Sequence, residues 1–364
     1  MVNSTPKLSV MDLQHLFRPD LKDLTAYQVN AVSHQIKLDA NESPFDLPDP
    51  IRQQISDTIS KLSFHHYPDT TADQLRGTLA RYLNVPEDWL VIGNGSDELL
   101  AYLAQIFGRQ KAAVLFPTPT FSMYRIFAQT AGIPTIGLPL NDSFDLNASL
   151  WQQTLDRQQR NLVFFAYPNN PTGNLYDAGV VGDILSRRDT LVVMDEAYYE
   201  FSGQTFLEQF TDHKNLVITR TFSKAYGLAS LRCGYLVAHP DLINEINKIR
   251  LPYNLNQFTQ ICATIALQHR DLIASAVAAI LRGREQIYES LGKIDGIHPF
   301  PTEANFVLFR TQKPADLVHT SLIDQGILIR HFGASGPLAN CLRVTIGTDS
   351  QNQRFLPAIR QALR

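Results

Sequence analysis

Four short apolar runs, each giving way at once to a polar cluster, constrain the fold of this chain more than any other feature. Ala112–Phe116 (AAVLF), Leu162–Ala166 (LVFFA), Leu191–Met194 (LVVM) and Leu216–Thr219 (LVIT) are too short for typical helices. Their β-branched and aromatic content marks strands buried on both faces. Amphipathic stretches such as Asp97–Phe107 and Asp177–Arg187 lie between them. That alternation predicts an α/β fold, with a large three-layer domain built on a mainly parallel sheet and crossover helices. Beyond Tyr253 the texture changes. A long helical stretch from Thr259 to Leu291, broken near Arg270–Asp271, leads to NFVLFR, a helix at Ala315–Gln325, GILIRHF, CLRVTIG and a last helix. This order predicts a second, smaller α+β domain. The expected division is an N-terminal arm (1–30), a small domain (31–50 and 265–364) and a large domain (51–264), with the Pro-rich segment Ser43–Pro50 linking the arm to the large domain.

The bulk properties narrow the function classes. A chain of 364 residues has room for two domains, and 44% hydrophobic with 18% charged residues suits an ordinary globular core. The net charge of −3, with no dense basic block, gives no nucleic-acid surface. Cys233, Cys262 and Cys341 are odd in number and widely spaced, so buried, reduced thiols are expected rather than a disulfide framework or a metal site. The first twenty residues hold no continuous apolar segment of the signal-peptide kind. No apolar run approaches the ~18–20 residues of a membrane span. The expectation is a soluble, cytoplasmic protein that binds neither membrane nor nucleic acid.

Ligands of open parallel sheets bind outside the carboxyl ends of the strands, where this chain concentrates its polar motifs. AAVLF runs into PTPTF, LVFFA into YPNNPTG, LVVM into DEAYYE and LVIT into RTFSKAYG. Lys224 is central. A loop lysine by itself is a solvated charge, but here Thr221 and Ser223 precede it and Arg232 follows. An amine with hydroxyls and a guanidinium nearby suits a phosphorylated aldehyde, the amine bonding the carbonyl and the others the phosphate. Burial and cationic neighbours would lower the lysine pKa and favour the nucleophilic amine. Asp195, at the end of LVVM, reads either as a helix cap or as the acid that keeps a pyridinium nitrogen protonated. Tyr198 and Asn170 are placed to reach a ring hydroxyl, although NNPTG alone is also a tight turn. Gly93–Glu98 (GNGSDE) opens a helix and suits a phosphate at its N-terminus. It is not a dinucleotide fingerprint, because Glu98 stands where GxGxxG needs its third glycine. Phe121 is a core aromatic or a ring stacked on a cofactor.

Together these motifs resemble the fold-type I pyridoxal phosphate (PLP)-dependent aminotransferases, and among them the histidinol-phosphate aminotransferases. The likeness runs in order through FRPDLKDLTAYQ, LDANESP, HHYPD, GNGSDELL, PTPTFSMY, YPNNPTG, VVMDEAYYEF, RTFSKAYGLASLRCGY, LPYNLN, NFVLFR, GILIRHF and CLRVTIGT. The resemblance implies the PLP-transferase type I fold and PLP as cofactor, with Lys224 as the Schiff-base lysine and Asp195 as the partner of the ring nitrogen. Tyr198 and Asn170 would contact the ring hydroxyl and Phe121 would stack on the ring. Ser96, Asp97, Thr221, Ser223 and Arg232 would line the phosphate side, Asp97 through its backbone amide. Tyr67 would reach the phosphate of a neighbouring subunit, which implies a homodimer with shared active sites. Arg343 and Arg330 would take substrate anions, and Tyr27 and Tyr253 would approach the substrate phosphate. His65 and His66 read as structural, and no metal is implied. The implied reaction moves an amino group between glutamate and imidazole-acetol phosphate, forming histidinol phosphate in histidine biosynthesis. On the same scaffold stand an aromatic amino acid aminotransferase and a threonine-phosphate decarboxylase. A non-catalytic PLP-binding regulator would need an attached DNA-binding domain, for which the ~30-residue arm is too short.

Overall fold

The computed structural model describes residues 16–21, 24, 33–108 and 110–364. Seven strands form the larger sheet: β2 (Leu90–Gly93), β3 (Ala112–Thr118), β4 (Thr135–Pro139), β5 (Arg160–Ala166), β6 (Thr190–Asp195), β7 (Leu216–Thr221) and β8 (Gly234–Val237), in the order β2-β8-β7-β6-β5-β3-β4. The pairs β4/β3, β3/β5, β5/β6 and β6/β7 are parallel, and β8 alone runs antiparallel to its two neighbours. The four runs singled out in the sequence are the adjacent strands β3, β5, β6 and β7. Each is two residues longer than its apolar stretch.

Successive residues of these strands enter two different cores. Ala113, Leu115, Val163, Phe165, Val192, Met194, Leu216 and Ile218 face one, while Val114, Phe116, Leu162, Phe164, Val193 and Val217 face the other. Period-two geometry sends alternate side chains to opposite faces, so a run apolar at every position is what a strand covered on both sides requires. The helix pairs that cover the faces are Ser96–Ile106 with Met123–Ala131, and Ala148–Leu155 with Ala178–Leu185. The first pair supplies Leu99, Leu103, Tyr124 and Phe127; the second supplies Trp151, Leu155, Val181 and Ile184. This is the three-layer α/β architecture expected.

Five strands form a second sheet: β1 (Ile36–Leu38), β9 (Ile297–Pro299), β10 (Phe306–Thr311), β11 (Ile327–His331) and β12 (Cys341–Thr345), in the order β1-β11-β12-β10-β9. Only β1/β11 is parallel. The long helical stretch is two helices, Gln257–Gln268 and Arg270–Gly292, bent 78° at the break. No single helix among the described residues is long and apolar enough to cross a membrane; only this bent pair reaches that threshold jointly. Its first member is buried over nine consecutive residues, Thr259–Leu267. All three cysteines are free and buried.

Candidate active site

The chain runs β3→β4 towards one edge and β5→β6→β7 towards the other, so the switch point lies between β3 and β5, and the crevice opens beyond their carboxyl ends. Asp195 closes β6 and is paired in register with Thr219 of β7. Its carboxylate is buried and accepts from Tyr124 Oη at 2.7 Å and from Thr219 Oγ1 at 3.3 Å. Burial pushes this acid up to about 6; the Tyr124 bond opposes the rise and the charge on Asp97 adds to it. Tyr124 is wholly buried, stacks on Phe164 at 5.0 Å and meets Phe121 edge-on at 5.5 Å. Phe121 therefore stands against the residue that holds the acid.

Lys224 follows the end of β7 by three residues, and its Nζ donates to the carbonyl of Ala40 at 3.0 Å. Burial first, then the guanidinium of Arg343, lowers its pKa to about 8. A substantial fraction of this amine is therefore neutral near pH 8, which a nucleophile or proton acceptor needs.

On one side of Lys224 lies a cluster of hydroxyls and amides. Thr221 Oγ1 accepts from Ser223 N at 3.1 Å and donates to Ser223 Oγ at 3.0 Å; Arg232 Nη1 donates to Ser223 Oγ at 3.4 Å. Ser96 begins the helix Ser96–Ile106, whose first amides lack intrahelical partners and suit an anion. Close approach keeps this cradle bare, by backbone at Gly234 and by the Arg232 side chain at Gly95. A Cβ on Gly234 would lie 2.3 Å from Ser96 N, and one on Gly95 (φ +83°) 2.7 Å from Arg232 Nη2. The Asp97 carboxylate is held by Arg232 at 3.0 Å. Glu98, the residue that breaks the dinucleotide pattern, accepts from Asn94 N and from Asn254 Nδ2, both at 2.7 Å. It thereby ties the GNGSDE turn to LPYNLN.

From the other sheet, Arg343 on β12 donates to Asn170 Oδ1 and, at 2.8 Å, to the carbonyl of Asp39. Arg330 on β11 is its register partner, so the two arginines stand side by side on one face. The two asparagines of YPNNPTG divide their work. Asn169 is fully buried and bonded to Pro119 O, Thr120 and Thr172, whereas Asn170 meets Arg343. Tyr198 is buried, and its hydroxyl accepts from Asn41 Nδ2 at 2.9 Å.

Tyr67 and Tyr253 stack on each other at 4.4 Å on the surface, Tyr67 being 80% exposed. Their loops are joined by Arg250 to Thr70 O and by Gln260 to Asp69 O. Tyr27 lies outside the described residues. Among the described residues no group of three or more His, Cys, Asp or Glu is placed to hold a metal.

Sequence reasoning missed Tyr124, Asn41, Glu98, Asn254 and the buried pair Glu196–Arg220. The only available signals were position, Tyr124 three residues after Phe121 and Asn41 inside LDANESP, and neither reveals a contact.

The model for aminotransferase class I and II matches residues 33–359. Histidinol-phosphate aminotransferase of Aquifex aeolicus is 38% identical over 345 residues, covering 94% of this chain and 97% of that protein. Histidinol-phosphate aminotransferase 1 of Carboxydothermus hydrogenoformans is 38% identical over 353 residues, covering 97% of this chain and 100% of its own. The crystal structure of histidinol-phosphate aminotransferase from Sinorhizobium meliloti in complex with pyridoxal-5'-phosphate aligns with a TM-score of 0.86 at 26% identity, covering 96% of this chain and 97% of that one.

Proposed function

We propose, from the premise that the chain belongs to the class I and II aminotransferases and is a PLP-dependent transaminase, that it exchanges an amino group between L-glutamate and imidazole-acetol phosphate. The products would be 2-oxoglutarate and L-histidinol phosphate, in cytoplasmic histidine biosynthesis. One observation carries the choice of a phosphorylated substrate: Arg330 and Arg343 are cross-strand neighbours. Like charges so placed repel unless an anion lies between them. Two guanidiniums can each bond phosphate or carboxylate through two N–H groups, which suits a site that takes a phosphate monoester and a dicarboxylic acid in turn.

PLP, when bound, supplies an aldehyde that combines with amines and a ring that accepts the electron pair released at the substrate's α-carbon. The residues of this chain fit such a group. Asp195 is a buried acid with neutral hydrogen-bond partners, and a protonated ring nitrogen would give it a cation. Tyr198 and Asn170 would hold the ring hydroxyl and Phe121 the ring face. Ser96, Thr221, Ser223, Arg232 and the backbone of Asp97 would bind the phosphate. Lys224, neutral in a large fraction near pH 8, would take the proton from the α-carbon and return it on the other side of the exchange. Arg343 would orient the donor's α-carboxylate.

The exposed aromatics Phe64, Tyr67 and Tyr253, with Leu251, sit on two joined loops beside this site, and exposed Phe258 opens the helix that follows. An apolar patch so placed supports a homodimer in which Tyr67 and Tyr253 serve the neighbouring subunit, with Tyr27 closing over the substrate phosphate. The pairing of β1 with β11 supports taking 31–50 and 265–364 as one small domain and 51–264 as the large one.

The test is the half-reaction of the PLP enzyme with histidinol phosphate against phenylalanine, followed by absorbance. Strong preference for the phosphate is expected. Comparable efficiency would overturn the assignment in favour of an aromatic aminotransferase, and release of carbon dioxide from threonine phosphate would overturn it in favour of a decarboxylase.

A further inference from the structure

The segment Asp39–Asn41 touches three groups of the site at once. The carbonyl of Asp39 accepts from Arg343, that of Ala40 accepts from Lys224, and Asn41 Nδ2 donates to the Tyr198 hydroxyl at 2.9 Å. Asn41 is 1% exposed and sits at φ 55°, a left-handed conformation that asparagine tolerates better than most residues. All its polar groups are engaged. Its N–H donates to Thr345 Oγ1 at 3.0 Å, its Oδ1 accepts from Thr345 Oγ1 at 3.2 Å, and its carbonyl accepts from Asn305 Nδ2 at 3.1 Å.

These bonds orient the amide. The Thr345 hydroxyl receives the Asn41 N–H on its oxygen and gives its own hydrogen to Oδ1, so Nδ2 is the end that faces Tyr198. A phenol has one hydrogen. With its oxygen already accepting from Asn41, Tyr198 is left to donate that hydrogen elsewhere. We infer that Asn41 is a positioning residue that commits Tyr198 to donate its O–H towards the ring oxygen of the cofactor, and so lowers the pH at which the bound cofactor loses its proton. This rests on Tyr198 contacting the ring hydroxyl as proposed above. The direction follows from charge: a donor stabilises the anionic ring oxygen most when the neighbouring nitrogen no longer shares a proton with it. The charged groups that act on Tyr198 are Arg343, Asp195 and Asp97, and none is altered in the test.

The test is a pH titration of the PLP-loaded enzyme by its visible absorption, in wild type, Asn41→Gly, Tyr198→Phe and the double variant. Glycine takes φ 55° without strain and removes the amide without adding charge. Asn41→Gly is expected to raise the midpoint by ~0.4–1 unit, the size of one lost hydrogen bond. Tyr198→Phe should raise it further, and the double variant should match Tyr198→Phe, because Asn41 acts only through Tyr198. An unmoved midpoint in Asn41→Gly beside a moved one in Tyr198→Phe overturns the inference and leaves the site reading intact. Additive shifts overturn it as well, since Asn41 would then reach the site by another route. No shift in Tyr198→Phe removes the reading of Tyr198 and the inference with it. Should Asn41→Gly fail to fold, Thr345→Val removes only the hydroxyl that orients the amide. It is expected to shift the midpoint upward in the Tyr198 background alone, and no shift there overturns the inference.

Discussion

Arg220→Ala is expected to destabilise the protein more than any surface charge deletion, by an amount that grows with pH. Arg220 and Glu196 are 3% and 0% exposed and make an ion pair at 2.8 Å. Arg220 also lies 3.5 Å above the ring of Tyr199, and Glu196 accepts from Thr205 Oγ1 and Phe206 N. The pair joins the turn after Asp195 to the strand leading to Lys224, so it sets where both groups stand. Deleting the arginine leaves a buried carboxylate without its countercharge, a loss of about 3–5 kcal/mol. With an unfolding entropy of ~2.1 cal/mol/K per residue, the 364 residues give ~0.76 kcal/mol/K, so Tm should fall by about 4–7 °C. Burial already raises the Glu196 pKa while Arg220 opposes the rise, and without Arg220 it goes higher. The unfolded side chain ionises near ~4.3, so the folded variant holds a proton that the unfolded chain has released. Its penalty is small at low pH and grows as pH rises from ~4.3 through the raised folded value. Calorimetry of the cofactor-free protein near pH ~5 and ~8 measures both effects. Replacing the pair together, Glu196→Leu with Arg220→Met, should be far milder. A loss no larger than that of Lys248→Ala, in the exposed Lys248–Glu245 pair, or a loss greatest at low pH, would refute the reasoning.

Further expectations concern the site. Borohydride reduction of the holoenzyme should fix PLP on Lys224, and Lys224→Ala should lower the half-reaction rate by ~10²–10⁴-fold in rapid mixing; label on another lysine would contradict this. With the Lys224 pKa lowered to about 8, capture of PLP by the cofactor-free protein should rise with pH about a midpoint near that value, whereas an ordinary lysine would show ~10.4. Asp195, raised to about 6, contributes stability below its unfolded pKa of ~3.9 that is lost as pH rises through the folded value. Cofactor-free Asp195→Asn should therefore be the more stable protein above pH ~6, by up to about 3 kcal/mol, while binding PLP more weakly; superimposable Tm–pH curves would count against it. Gly234→Ala drives a methyl group to 2.3 Å from Ser96 N and 2.7 Å from the carbonyl carbon of Gly95. Backbone must move there, and weaker PLP binding together with a lower Tm is expected; a neutral result by calorimetry and cofactor titration would show that the cradle yields.

Much of the fold was legible because its cause is local. A strand between two helical layers has no polar face, so β3, β5, β6 and β7 announce themselves as unbroken apolar runs. The shorter strands β2, β4 and β8 were missed, since LVIG, TIGLP and GYLV include glycine or proline and are too brief to show a period. The small strands β1 and β9 fell for the same reason, at three residues each.

At the site, sequence supplied the kinds of group and their order along the chain: an amine between hydroxyls, an acid ending a strand, a glycine-bearing helix start, two arginines near the end. Residue type and strand-end position are properties of a short stretch of chain. Tertiary structure alone decided that Tyr124 holds Asp195 across 71 positions, that Asn41 holds Tyr198 across 157, and that Asn170 rather than Asn169 meets Arg343. It also decided the upward shift of Asp195, set by burial, whereas the downward shift of Lys224 was expected from the sequence and the fold supplied its chief cationic neighbour, Arg343. A side chain's chemistry is written beside it in the chain, but the direction of its hydrogen bonds and the cost of its charge depend on what folding brings against it.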